Sequence, residues 1–480
     1  MLRIIKIILI VEPTSGNLEE ECPVQHSDSA LGTERIWKLL IQMGLPGLVA
    51  QLINLLYNLV DRIYIGHIPE VGELALTGVG LTMPILQLVT AFSVLVGNGG
   101  AALAAIALGV GNRRRAENIL SNGVLMLLFF SVSLTTVFFL IRRPFLYMVG
   151  ASDSTYLYAE QYLVIYLTGT VFVQLSMGLN PFITAQGRAR TAMCSVLIGA
   201  VINIILDPIF IFVFHMGVRG AALATVISQA ASTVWVLCFL TRPSTSLRIR
   251  WKEIRPKFCI IQQVTDLGVA PFIMNSTESL IVVVLSSQLA RYGSDLYVGS
   301  LTILMSVLQL IYIPMSGFTG GTSPILSYNY GAGRPERVRE AFRKMLLIGG
   351  LYTVFISGMA VLFPRFFARL FTDGAALTEL VVRVLPLFIC GMSIFGLQSV
   401  CMAAFIALGQ AKRALVVALL RKVILLAPLA MILPALTGNV YSIYWAEPIS
   451  DVTSVTVCCL IFWGFVRKGG FQAKGLPGQP

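Results

Sequence analysis

Two aspartates stand where a carboxyl is costly to place. Asp61 lies near the end of the apolar run that begins at residue 37, and Gln51, Asn54 and Asn58 precede it at steps of three and four, so the four share one helical face. Asp207 ends a second stripe of this kind, with Ser195, Gly199 and Asn203 before it at successive steps of four. An acid at the bilayer centre costs roughly 2.5 to 3.5 kcal/mol on insertion scales, so it is expected to face a protein interior and to mark an ion or proton path. Pro208 follows Asp207 and removes a backbone donor, which frees carbonyls that can face a cation. Thr225 offers one more oxygen. Carboxylate, amide and hydroxyl oxygens suit Na⁺, and a desolvated carboxyl suits H⁺; the residue types leave both ions open. The plain alternative for Asp61 is an aqueous pair with Arg62. For Asp207 it is weaker, because LIGAVINIIL and PIFIFVF around it carry no other charge.

A second group of polar residues lies in the other half of the chain. Glu278 sits in MNSTESL beside Asn275, and Glu447 and Asp451 stand four apart around Pro448. Arg421 and Lys422 interrupt another apolar run, and an ion pair between Arg421 and Glu447 competes with a transport role for that acid. Gln309 is a further polar residue in an apolar segment. Tyr57, Tyr312, Phe318, Tyr441 and Tyr444 have faces suited to a flat cationic ligand, although most membrane aromatics pack or anchor. Candidates for a substrate cleft are therefore Gln51, Asn54, Tyr57, Asn58, Asn275, Glu278, Gln309 and Glu447.

Composition dictates the helices that hold these groups. Of 480 residues, 56% are hydrophobic and only 12% charged, which excludes a water-soluble globule. Runs long enough to span a bilayer fall near 37–65, 73–109, 118–141, 156–186, 191–216 and 219–241, and then near 258–290, 296–329, 341–363, 378–408, 414–436 and 440–466. An all-α polytopic membrane protein with twelve helices is expected. The loops after even-numbered spans, together with the carboxy-terminal tail, hold 21 of the 35 Lys and Arg, which places both termini in the cytoplasm. The net charge of +12 is thus mainly a topology signal, and no basic segment interleaved with aromatics suggests nucleic acid. There is no GxxxxGK[ST] loop for a nucleotide and no HExxH or nucleophile elbow, so an enzyme is not expected. The eight Cys form no CxxC pair and read as small buried hydrophobes. No cofactor is expected beyond the coupling H⁺ or Na⁺, and no metal beyond a possible Na⁺ at Asp61, Asn203, Asp207 and Thr225.

The halves repeat at an offset near 222 residues. Pro46 answers Pro271, GVGNRRRAEN from Gly109 answers GAGRPERVRE from Gly331, GRAR from Gly187 answers GQAKR from Gly409, and LDP at 206–208 answers LAP at 426–428. Six spans per half give two parallel repeats, an architecture in which transporters bind substrate between lobes. The expected organisation is a cytoplasmic tail over 1–35, an amino-terminal lobe over 36–241, a basic linker over 242–257, a carboxy-terminal lobe over 258–466 and a cytoplasmic tail over 467–480. Ser286 and Ala427 take the places of Asp61 and Asp207 in the second half, so the acid pair belongs to the first lobe. The coupling cation is expected there.

The segments GLPGLVAQLINLLYNLVDRIYIGHI, GVGNRRRAEN, NPFITAQGRARTAM, NIILDPIFIF and GVRGAALAT resemble the multidrug and toxic compound extrusion (MATE) family. In the second half, APFIMNSTESL, SYNYGAGRPERV, ALGQAKRA and WAEPISD look similar to its bacterial drug-exporting branch. The resemblance covers roughly residues 35–466. It implies a V-shaped pair of six-helix lobes in a bacterial inner membrane that export small organic cations in exchange for H⁺ or Na⁺, as a monomer among lipids. It also implies a coupling role for the first-helix acid matching Asp61 and a cation site at the positions of Asn203, Asp207 and Thr225. Another branch has carboxy-lobe acids in the seventh and tenth helices; Glu278 matches the first, but the tenth helix has Gln398 and no acid. The alternative reading, a lipid-linked oligosaccharide flippase of related architecture, calls for a basic cleft. A membrane-embedded enzyme is a third class, with no catalytic constellation to support it.

Overall fold

The computed structural model describes residues 30–69, 71–243, 245–250, 255–371 and 374–472. Among them there is no strand. Eleven helices are long and apolar enough to cross a membrane, and one bent pair brings the number to twelve. They are α1 (Ile36–Gly66), α2 (Leu74–Gly109), α3 (Arg113–Val149), α4 (Asp153–Thr168 and Thr170–Ala185, bent by 59°), α5 (Ala189–Val213) and α6 (Val218–Thr241). The second set is α7 (Phe258–Tyr292), α8 (Leu296–Gly331), α9 (Pro335–Leu362), α10 (Ala375–Ala407), α11 (Ala411–Thr437) and α12 (Tyr441–Arg467). Two helices run beyond the apolar stretches that define them. α3 continues through Arg142 and Arg143, because Arg142 reaches Glu160 of α4 at 2.9 Å and so holds its last turns to the lobe. α9 begins at Pro335, whose fixed φ suits a first helical turn.

The repeated motifs are helix-to-helix turns. Gly111 and Gly333 have φ of 82° and 65°, and Gly187 and Gly409 have φ of 79° and 72°. Each pair occupies corresponding places in the two halves, and each needs the left-handed region that glycine reaches without strain. Asn112 then caps α3, its side chain accepting from the Arg115 backbone N–H at 2.9 Å.

The lobes meet along α1 with α8 and along α2 with α7, backbone against backbone. A methyl group on Gly99 would strike the Val264 carbonyl oxygen, and one on Gly268 that of Leu95. Gly109 and Gly331 lie in the same way against the carbonyls of Tyr328 and Ile106, and Gly47 and Gly317 against each other. All these positions fall toward the end of the bundle where α1 starts and α12 finishes. Toward the opposite end the same helices expose Leu56, Leu59 and Ile63 of α1, Leu280 and Val283 of α7 and Leu310 of α8. The close backbone contacts between the two lobes of the V thus lie at the end where α1 starts and α12 finishes.

Two segments expected as tail and linker are docked. Residues Ala30–Thr33 form a helical turn whose carbonyls are gripped by the end of α8 and the loop after it: Asn329 donates to Leu31 O at 3.0 Å and Arg334 to Gly32 O at 2.5 Å. Arg337 donates to Glu34 O at 2.6 Å. The rest of the expected tail, residues 1–29, lies outside the described residues, as do 473–480 at the other end. The linker is pinned to the amino lobe by Arg113 donating to Thr245 O at 2.6 Å, Arg250 pairing with Glu117 at 2.6 Å and the Lys257 N–H donating to Asn122 at 2.8 Å. Of the linker's basic side chains, Arg250 thus serves a local ion pair.

Candidate functional site

α5 carries the stripe Ser195, Gly199, Asn203 and Asp207 into the interior of the amino lobe. Ser195, Asn203 and Asp207 are each no more than 1% exposed. Gly199 is required for the approach of α6, since a methyl there would meet the Ser232 hydroxyl, which donates to Ser195 O at 2.9 Å. Asn180 of α4 donates to the Ser195 hydroxyl at 2.5 Å. The upper part of the stripe is thus closed by hydrogen bonds. The lower part is not. Asn203 donates its amide to Asp207 Oδ1 at 3.2 Å, while Asn203 Oδ1 and Asp207 Oδ2 are buried with no hydrogen-bond partner. Immediately after Pro208 the helix widens into a π turn, Ile209–Val213, the kind of local departure that recurs at functional sites.

Asp61 comes from α1 to within electrostatic reach of Asp207. It is buried, its Oδ1 is also without a partner, and its charge acts on Asp207. Arg62 acts on it through its charge but forms no salt bridge with it: that guanidinium points to Met83 of α2, with Nη2 3.8 Å from the sulfur. Among the described residues no Lys or Arg forms a salt bridge with Asp61 or Asp207. Thr225 of α6 donates to Ala221 O at 3.0 Å, which leaves its oxygen lone pairs free to accept. Tyr57 of α1 stands within electrostatic reach of both acids. Tyr162 of α4 reaches Thr225, and its ring lies 6.3 Å from that of Tyr166. Sequence alone does not single out these two tyrosines, although they stand four apart and on one helical face; the aromatic density of YLYAEQYLVIYLT hides them.

Three buried oxygen atoms without donors, on Asp61, Asn203 and Asp207, are a fit for a small cation. They are equally a fit for a proton on either carboxyl. A buried acceptor left unmatched costs about 1 to 3 kcal/mol, and more for a charged group. A bound H⁺ or Na⁺ would remove that cost.

The other candidates are spread along the V. Gln51 packs at the seam, next to Gly317 of α8. Asn58 is exposed and donates to Asn54 O at 2.7 Å. Asn275 closes a local bond to Pro271 O at 2.9 Å, and Gln309 is exposed on α8. Glu278 has a side chain 51% exposed. Glu447 does not line the open cleft. It is buried inside the carboxy lobe, where Arg421 of α11 donates to it at 3.3 Å and to Asp451 at 2.7 Å. Tyr444 belongs to the core of that lobe, whereas the Phe318 ring packs at the seam against Gly44 of α1. Gln398 accepts from Ser454 at 3.0 Å and is likewise interior. Lys422 pairs with Glu278, a contact across 144 residues that no local pattern foreshadows.

The MatE family model matches residues 46–209 and 271–432, one match per lobe, starting at the equivalent prolines Pro46 and Pro271. Multidrug export protein MepA of Staphylococcus aureus (strain NCTC 8325 / PS 47) is 24% identical over 434 residues, 89% of this chain and 94% of that protein. MepA of Staphylococcus haemolyticus (strain JCSC1435) is 25% identical over 86% of this chain and 91% of its own length. Among solved structures, a MATE transporter in complex with MaD3S superposes with a TM-score of 0.85 at 21% identity, covering 93% of this chain and 99% of that one. An outward-facing conformation of a multidrug resistance MATE transporter superposes with 0.84 at 21% identity, covering 94% and 99%. With both lobes matched in order and the two-lobe helical fold shared throughout, the chain belongs to the MATE family of multidrug efflux transporters.

Proposed function

We propose that this protein exports small organic cations in antiport with H⁺ or Na⁺, the coupling ion being held in the amino lobe by Asp61, Asn203 and Asp207, with Thr225 as a further ligand. The observation that carries this reading is that two buried carboxyls within electrostatic reach of each other, and the amide oxygen of Asn203 beside one of them, have unpaired atoms and no salt-bridge partner among the described residues. Such a site is stable only when a proton or cation enters it. Tyr57, beside both acids, links the site to the cleft face of α1, where Asn54 and Asn58 also lie. Loading the ion changes the charge of the amino lobe next to the cleft. A cationic substrate and the coupling ion therefore compete through electrostatics, which is what exchange requires.

With both termini in the cytoplasm, the end of the V where the lobes are in close backbone contact faces inward and the opposite end outward. Alternating access then means breaking the glycine seam and closing the opposite end. The flippase reading calls for a basic cleft, whereas the two buried bases in the helices, Arg421 and Lys422, are both paired with acids.

The test is drug uptake into inverted proteoliposomes, with ethidium as substrate and the proton and sodium gradients dissipated one at a time. Transport that collapses with one gradient and is lost in Asp61→Asn and Asp207→Asn supports the assignment. Full transport by both variants overturns it.

A further inference from the structure

Glu278 lies on the stripe of α7 that continues through Ile281, Leu285 and Leu289, three residues buried in the core of the carboxy lobe. A side chain on that inward face would be expected to be covered as well. Glu278 is half exposed, so its carboxylate can be reached from outside the core at this point. Lys422 enters from the π turn of α11, Leu420–Leu426, with its own side chain only 7% exposed, and places its ammonium on Glu278.

The two bases of this turn are held differently. Arg421 is anchored to both Asp451 and Glu447, its backbone carbonyl accepts from Ser450 at 2.7 Å, and its guanidinium lies 5.0 Å from the Phe395 ring. Lys422 bonds to Glu278 alone among the described residues. The further carboxylates that act on it are Glu447 and Asp451, and Glu447 Oε2 is buried without a hydrogen-bond partner. The ammonium thus sits on the half-exposed Glu278, while a second, buried acceptor on Glu447, whose charge also acts on it, has no partner of its own. A lysine suits two such acceptors, because its flexible stem carries a compact charge, whereas the planar fork of arginine is committed to one geometry. The cluster holds three carboxylates against two bases, which leaves a single negative charge when all are ionised. One monovalent cation would neutralise it.

We propose that Lys422 is a tethered counter-ion for Glu278, seated on that carboxylate in the absence of substrate and displaced toward Glu447 by a monovalent organic cation that takes its place. This rests on the reading of the protein as an exporter of organic cations, and it makes Lys422 a specificity-determining residue that sets how tightly such substrates are held. The tethered charge keeps Glu278 from standing bare in a hydrophobic lobe. It also weakens substrate binding, which favours release.

The test is equilibrium binding of tetraphenylphosphonium to the purified full-length protein. Removing the competing charge in Lys422→Met should tighten binding about tenfold, the low end of measured couplings between close charge pairs. Lys422→Arg, which keeps the charge, should give no gain. Glu278→Gln should weaken binding, and adding Lys422→Met to it should restore nothing. Should the methionine variant not fold, Lys422→Gln carries the same expectation. Unchanged or weaker binding in a folded Lys422→Met, or a gain that persists without Glu278, overturns the counter-ion proposal alone. Absence of binding and of transport of any organic cation by the wild-type protein overturns the exporter reading, and this proposal with it.

Discussion

The fifth helix of each lobe leaves regular α geometry for a turn of π helix, preceded by an acid in one lobe and carrying two bases in the other. In α5 the turn at Ile209–Val213 follows Asp207, whose outer oxygen has no partner. In α11 the turn at Leu420–Leu426 carries Arg421 and Lys422, which meet Asp451, Glu447 and Glu278 on α12 and α7. One lobe therefore stores uncompensated acid, and the other supplies most of its own counter-charge. A duplicated scaffold thus provides two similar local irregularities, and the residue types placed on them decide whether each lobe needs an ion from outside.

This contrast is exposed to test most strongly at the amino-lobe acids. Asp207→Asn and Asp61→Asn should each reduce ethidium efflux from cells to the vector background at normal expression, because the neutral amide neither releases a proton nor balances a cation. Efflux at wild-type rate in either variant would remove the distinction between the lobes. The next largest effect is on stability. Arg421→Met leaves Glu447 and Asp451 buried without their shared base, and breaking a buried pair from one side costs about 3 to 5 kcal/mol. Its melting temperature in detergent should fall well below that of Asp207→Asn, which removes an unpaired charge and should melt at or above the wild type. A reversed order would mean that Asp207 is the acid with a hidden partner.

Asn203→Leu should have an intermediate effect. It deletes one neutral ligand and one hydrogen bond worth about 1 kcal/mol, so the coupling-ion concentration needed for half-maximal transport should rise about fivefold. No change would place the ion elsewhere in the lobe. The smallest effect is expected for Arg62→Ala, with efflux within about twofold of wild type, since the Arg62 side chain points toward Met83 and forms no salt bridge with Asp61. A severe loss there would identify Arg62 as the counter-ion that Asp61 otherwise lacks, and the amino lobe would then resemble its partner.

Part of this arrangement is legible from residues alone. Asn203 and Asp207 stand four apart on one helix, so their shared face is a local property, and the structure joins them at 3.2 Å. The pairing of Arg421 with Glu447 is one of two readings open to sequence, and it is the one the fold adopts. The stronger bond of Arg421 to Asp451 is not legible, nor is Lys422 on Glu278. Both depend on the angle at which α11 passes α12 and α7, and the π turn that rotates these side chains has no signature in composition. Tyr162 and Tyr166 escape notice because an aromatic in a membrane helix packs far more often than it lines a site.

Runs and periods along the chain are enough to determine the span number, the repeat and the acid stripes of α1 and α5. Their cause is local: apolar length fixes a crossing, and 3.6-residue periodicity fixes a face. Which charges are matched and which are left bare is settled by the packing of the helices, because a counter-ion is a neighbour in space. Asp61 and Arg62 are adjacent in sequence and unpaired, whereas Glu278 and Lys422 are 144 residues apart and in contact.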